Sequence, residues 1–147
     1  MRYKGNISNL DVIISCWHKE CNGDDVGIDM SKQFFLDSLQ ELIDSDTDEL
    51  LVLEDEEPIG LLGLTTFKSP LGNQIIANEH YWYVVPHRRG LGSLKLIKEA
   101  EKWARERGCS HLIMSASNLA SDLHDTVCSI YERLGMTKFE TSYIRSI

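Results

Sequence analysis

Apolar residues recur at helical spacing through Leu10, Ile13, Ile14, Trp17 and Cys21, which predicts a first helix ending near Glu20. Ser8, with Asp11 three residues later, is its expected N-cap. A polar loop over residues 21–27 follows. A second helix starts at Asp29 or Ser31 and carries Phe35, Leu39, Leu42 and Ile43 as a buried stripe. The pattern then changes to short apolar runs. Residues 50–53 read as a strand, 54–58 as a charged hairpin turn and 59–67 as the returning strand. Gly60 and Gly63 mark bulges or close approaches in that strand. After a turn at 69–73, residues 74–85 form a long strand. A third helix over 91–107 presents Leu94, Ile97, Ala100, Trp103 and Ala104 to the core and stops at Gly108. A strand at 111–115, a loop at 117–122 and a fourth helix from Asp122 follow, with Val127, Ile130, Tyr131 and Leu134 on one face. Residues 1–4 and 137–147 read as outer strand regions.

The order is α α β β β α β α β. The strand–helix–strand unit around the third helix makes the strands 74–85 and 111–115 parallel, because a crossover helix returns the chain in the same direction. The hairpin before it is antiparallel. The expected fold is a mixed α/β sheet in a single domain, residues 1–147, flanked by about four helices. No apolar run approaches the ~18 residues that span a bilayer, and the start carries no apolar signal core. The expected location is therefore cytoplasmic, with no membrane partner.

The chemistry concentrates where the long strand meets the third helix, at Val84-Val85-Pro86-His87-Arg88-Arg89-Gly90-Leu91-Gly92-Ser93. A basic, glycine-containing turn at a helix N-terminus suits phosphate, since free N–H groups and the helix dipole point at the ligand. It is not a P-loop, and it lacks the third glycine of a dinucleotide fingerprint. The four cysteines, Cys16, Cys21, Cys109 and Cys128, form no C-x-x-C pair. Cys16 and His18 lie about 200° apart on a helix and do not converge on one ion, so no metal site is expected.

Net charge is −8, which argues against nucleic acid as a ligand. The charge is uneven: residues 1–79 hold 16 of the 23 acidic residues but 5 of the 15 basic ones. The half with the glycine turn is mildly basic. Such a division suits an anionic cofactor in one half and a cationic substrate in the other.

This layout resembles the GNAT superfamily of acyl-CoA-dependent N-acetyltransferases over nearly the whole chain. His87-Arg88-Arg89-Gly90-Leu91-Gly92 is similar to the family's pyrophosphate loop, Gln/Arg-x-x-Gly-x-Gly/Ala. Tyr131-Glu132-Arg133-Leu134-Gly135-Met136 resembles its Tyr-x-x-Leu-Gly-Phe/Met segment. Asn118 follows a strand, where the family often has a cofactor-proximal asparagine, although the distance from Asn118 to Tyr131 exceeds the common spacing. His87 stands at the Gln/Arg position and follows Pro86 directly. Registers starting at Arg88 or Arg89 stay open.

The resemblance implies acetyl-CoA as donor, a small-molecule or peptide amine as acceptor, direct transfer without an acyl-enzyme, and a homodimer as one assembly common in the family. It implies cofactor contacts from His87, Arg88, Arg89, Gly90, Leu91, Gly92 and Ser93, from main chain near Tyr83, Val84 and Val85, and from Asn118. Glu79 is the first candidate for the base, with His80 competing, and Tyr131 the candidate acid that protonates the leaving thiolate. A non-catalytic acyl-CoA-binding domain on the same fold is the alternative.

Overall fold

The computed structural model describes residues 1–147, apart from the side chain of Asp24. A 3-10 turn, Ile7–Leu10, leads into α1, Asp11–Glu20. A second 3-10 turn, Gly23–Val26, separates it from α2, Lys32–Asp44. The expected cap at Ser8 gives way to Asn6, whose side chain accepts the Ser8 N–H. The helical turn starts earlier than the apolar periodicity does, so the cap precedes it. Ser31, not Asp29, caps α2; its hydroxyl accepts the Phe34 N–H.

Four strands follow in the order β1, Glu49–Asp55; β2, Glu57–Lys68; β3, Ile75–Val84; and β4, His111–Ile113. Between β3 and β4 come a 3-10 turn, Pro86–Arg88, and α3, Ser93–Glu106. The last helix is α4, His124–Arg133. The sheet order is β1-β2-β3-β4, antiparallel for the first two pairings and parallel for the last. Both sheet faces are covered. Leu61 and Leu62, adjacent on β2 and hence on opposite faces, are both fully buried. α1 and α2 pack together on the sheet, while α3 packs on β1 and β2 without joining them. In α3, Leu96 joins Ile97, Ala100, Trp103 and Ala104 in the core and Leu94 is half-buried, a one-face rotation from the expected stripe.

Two expected strands are corrected. Residues 1–4 contribute one bridge, Arg2 to Leu51, with Tyr3 N–H on Leu50 O and Val52 N–H on Met1 O, which covers the outer edge of β1. Residues 137–147 hold no regular structure and are exposed throughout.

Gly60 and Gly63 are close-approach positions, as expected. A Cβ on Gly60 would sit 2.8 Å from Val84 Cγ2, and one on Gly63 would sit 2.7 Å from Leu42 Cδ1. Beside Gly63, Leu64 pairs with Glu79 while Gly63 pairs with Tyr81, so His80 is an extra residue in β3. A bulge adds local twist and bend. The parallel ladder with β4 is only Ile76–His111, Ala77–Leu112 and Asn78–Ile113, and it stops immediately before this bulge. β3 runs on to Val84 paired with β2 but not with β4, and a fork opens between the two parallel strands.

Candidate active site

Glu79 sits at the base of the fork. Its carboxylate accepts the Ser115 N–H, two residues beyond β4, at 2.9 Å. From the other side of the same residue, the Tyr131 hydroxyl on α4 donates to Ser115 O at 2.9 Å. Trp82 packs on Tyr131 with ring centroids 5.8 Å apart. Three elements thus converge on one residue, Ser115. Ser115 and Trp82 carry no sequence signal that would have singled them out; only the fork makes them neighbours of Glu79 and Tyr131.

Burial pushes the Glu79 carboxyl up to about 7, the Ser115 N–H offsetting part of that rise. Burial also raises the Tyr131 phenol, and the nearby Glu79 charge raises it further. The pair therefore combines a carboxyl that exchanges a proton near neutrality with a phenol whose resting form is protonated. His80, the competing base, is the bulged residue. It points outward and bonds Thr65 Oγ1 at 2.8 Å, away from the fork. The bulge also sorts the aromatic residues of β3. Tyr81 packs on Phe35 of α2 and Tyr83 reaches Glu20 of α1, while Trp82 faces α4.

The open edge of β3 offers main-chain donors, though not the three expected. The Val85 N–H is taken by Ile59 O at 2.9 Å. By antiparallel alternation, Tyr83 is likewise directed at β2, and the groups facing the fork are those of Trp82 and Val84. Val84 agrees with this, because its carbonyl accepts from Arg89 Nε at 2.9 Å. Of the three main-chain groups expected to be free, the N–H groups of Tyr83 and Val85 point into the sheet, and those of Val84 and Trp82 face the fork.

Past Val84 the chain makes the 3-10 turn and enters α3. Gly90 adopts φ +148, a region open to glycine. Its N–H is held by Ser93 Oγ at 3.3 Å, and Ser93 is buried. Ser93, Leu94 and Lys95 direct their N–H groups to Gly90, Leu91 and Gly92 carbonyls. Among the described residues, no acceptor takes the N–H of Leu91 or Gly92. Two free donors thus stand at the positive end of a 14-residue helix.

The two arginines of the turn do not supply mobile charge. Arg88 is ion-paired with Asp55 at the β1–β2 hairpin. Arg89 makes a two-pronged contact with Glu20, at 2.8 and 2.7 Å, and lies over the Tyr83 ring. Tyr83 donates to the same carboxylate at 2.6 Å. Burial alone would raise Glu20, but hydrogen bonds from Arg89 and Tyr83 outweigh it and hold the carboxyl below its usual range. Glu20, absent from the sequence expectations, thereby ties the end of α1 to the base of the turn. His87 is exposed on the 3-10 turn. Asn118 is exposed in a turn, and its carbonyl, not its side chain, is engaged, by Asn22 Nδ2 at 3.1 Å. Asn22 also donates to Asp122 Oδ1 and, through its main chain, to Leu119 O, both at 2.8 Å. The loop after α1 and the loop after β4 are stitched together by that one residue.

Residues 13–136 match the model of the acetyltransferase (GNAT) family. Solved structures of similar fold include an aminoglycoside acetyltransferase from an uncultured soil metagenomic sample, 16% identical, TM-score 0.69, covering 98% of this chain and 93% of that one. A ribosomal-protein-alanine N-acetyltransferase from Brucella melitensis is 16% identical with TM-score 0.68, covering 96% and 93%. An aminoglycoside N-acetyltransferase in complex with CoA is 14% identical with TM-score 0.68, covering 93% and 90%. At such identities the likeness is one of fold. No curated protein matches.

Proposed function

Because the chain belongs to the GNAT acetyltransferase family, whose acyl donor is acetyl-CoA, we propose that it moves an acetyl group directly onto a primary amine, with Glu79 and Tyr131 handling the protons. The observation that carries this reading is the convergence of Glu79 and Tyr131 on Ser115 at the base of the fork.

The residues present fit such a donor. The free N–H groups of Leu91 and Gly92, at the N-terminus of α3, suit a pyrophosphate. The fork-facing donors of Trp82 and Val84 suit the amide-bearing arm of a pantetheine and a thioester oxygen. Acetyl-CoA, when bound, supplies the acetyl group as a thioester and a thiolate leaving group. Glu79, with a proton affinity near neutrality, accepts a proton from the incoming ammonium or amine, directly or through water. Tyr131, held protonated by its surroundings, donates a hydrogen bond and a proton to the departing sulfur. To do so its hydroxyl turns from Ser115 O. Gly90 and the Ser93 hydroxyl shape the turn. Arg88 and Arg89 act through Asp55 and Glu20, fixing the turn rather than touching phosphate.

The acidic bias of residues 1–79 supports a cationic acceptor. Two neighbours of similar fold are named for aminoglycosides, which are polyamines. A panel of amines assayed with acetyl-CoA and a thiol-detecting reagent tests the reading. Thiol release with a subset of amines is the expected result. Acetyl-CoA binding without turnover on any amine would instead favour an acyl-CoA-binding domain. Tyr131→Phe is expected to lower kcat by about 10², with acetyl-CoA affinity by calorimetry unchanged; an unchanged kcat removes Tyr131 from the acid role.

A further inference from the structure

One end of α1 serves the fork, where Glu20 meets Arg89 and Tyr83. The other end borders a second concavity. The 3-10 turn Ile7–Leu10 and Asp11 face α2 across a groove of about 530 Å³. α2 lines it with Gln33, Leu36, Asp37 and Gln40. Their spacing, i, i+3, i+4 and i+7, makes a stripe beside the buried one of Phe35, Leu39, Leu42 and Ile43. The floor is aliphatic: Ile7 and Leu36 are half-buried and rest on the core.

The rim is acidic. Asp11 and Asp37 are exposed and border the groove from different elements. Gln33 Nε2 donates to Asp37 Oδ1 at 2.8 Å, which fixes that carboxylate and leaves its charge in place. Among the described residues no lysine, arginine or histidine pairs with either aspartate. Lys32, the one basic residue of α2, donates instead to Ser15 Oγ at 3.3 Å. Glu41 and Asp44 carry the negative charge on toward the C-terminal end of α2. Unpaired carboxylates over an apolar floor complement a chain segment in which an aliphatic side chain lies between lysines or arginines. A bare polyamine has no side chain for the floor, and an acidic segment is repelled by the rim.

We infer that this groove docks a basic, leucine- or isoleucine-bearing segment of a polypeptide, and that the same polypeptide supplies the amine that enters the fork; the second half rests on the acetyl-transfer reading above. Along α1, Asp11 lies roughly 14 Å from Glu20 at about 1.5 Å per residue. A small amine in the fork does not span that distance, whereas about four residues of extended chain do. The docking segment is therefore separated from the acetylated amine by at least about four residues. A groove of this size takes one or two side chains, so docking is weak. It acts by holding the amine at raised local concentration beside the fork, without touching the reacting atoms.

The test is fluorescence anisotropy on the full chain with a labelled peptide whose lysine–leucine–arginine anchor lies about five residues from its free amino terminus. The expected Kd is on the order of 10–100 µM at low salt. Asp37→Lys is expected to raise it about tenfold. Asp46→Lys, the same charge change on the loop after α2, should leave it within about twofold. Serine in place of the anchor leucine should weaken binding about tenfold as well. Far-UV circular dichroism checks that each variant keeps its helices. In thiol-release assays with acetyl-CoA, Asp37→Lys should raise the KM of the peptide severalfold at constant kcat and leave that of a short monoamine unmoved. Flat anisotropy up to ~1 mM peptide overturns the proposal. So do equal losses from Asp37→Lys and Asp46→Lys, which would reduce the effect to a diffuse field, and equal affinity for a peptide with glutamates in the anchor. Thiol release from short amines without peptide binding removes the groove alone. Peptide binding that Asp37→Lys abolishes, with no thiol release from any amine, keeps the docking surface and removes the acetyl-transfer reading.

Discussion

Glu79 is a carboxyl group held near neutrality by burial, and that fixes its dependence on pH in two independent ways. For activity, the basic form is needed, so kcat/KM should rise through an apparent pKa near 7 and level above it. Glu79→Gln should abolish that limb and lower kcat by about 10²–10⁴; an unshifted limb in the variant would assign it to another group. For stability the sign is opposite. The folded-state value, about 7, exceeds the ordinary glutamate value of about 4.5, so between the two the folded chain holds a proton that the unfolded chain releases. That contribution is fully present below the unfolded value and is lost as pH rises through the folded one, an effect of about 3 kcal/mol across the window. Thermal melts should show the wild type losing stability between pH ~4.5 and ~7 relative to Glu79→Gln. Arg89 makes a different point about single residues. A lysine there keeps the charge but not the fork that grips Glu20 from two nitrogens. Arg89→Lys is expected to cost about 1–3 kcal/mol in denaturant melts. It should also raise the KM for acetyl-CoA with little change in kcat, since the turn loosens while the proton-handling pair is untouched.

At the scale of elements, the bulge at His80 decides most of the site. It ends the parallel ladder at Asn78 and opens the fork. It also sends Trp82 toward α4 while Tyr81 and Tyr83 face α1 and α2. Gly63 sits directly across from it, with Leu42 and Tyr81 at 2.7 and 3.0 Å from where a Cβ would lie. Gly63→Ala should therefore destabilise by about 1–3 kcal/mol, read as a lower chemical-denaturation midpoint, and should disturb the fork more than Gly72→Ala, whose Cβ meets only Gln74 Oε1 at 3.5 Å. The same bulge marks the boundary of what was legible beforehand. The helices, the hairpin and the parallel pair follow from periodicity and turn residues, which are local properties. Glu79 and Tyr131 were legible through a resemblance in motif order, and the structure brings them together on Ser115. An extra residue in one strand leaves no trace in composition, so which main-chain groups past His80 face the fork is legible only from the paired register. The roles of Arg88 and Arg89 were hidden for another reason. A basic turn reads as a phosphate site until its acidic partners are known, and Glu20 lies 69 residues from Arg89.

For the molecule as a whole, charge and topology divide along the same line. The 16 acidic residues of residues 1–79 belong to α1, α2, the loops around them, the β1–β2 hairpin and β3, whereas the helix that follows the glycine turn nearly balances Lys95, Lys98, Lys102 and Arg105 against Glu99, Glu101 and Glu106. Some acidic groups are spent within the fold: Glu20 on Arg89, Asp55 on Arg88 and Glu49 beside Arg2. Others, such as Asp11, Asp37 and Glu41, stay exposed on α1 and α2. Such a surface attracts a cationic acceptor over distances set by the Debye length, ~10 Å at 0.1 M salt. If that field selects the acceptor, raising sodium chloride from low to ~0.5 M should raise the KM of a di- or polyamine severalfold, leave kcat nearly constant, and leave the KM of a monoamine almost unmoved, because the screened attraction scales with acceptor charge. The comparison is made at saturating acetyl-CoA, so that screening at the turn does not enter. Equal salt sensitivity for monoamine and polyamine acceptors would show that the acidic half only keeps the protein in solution and takes no part in choosing what is acetylated.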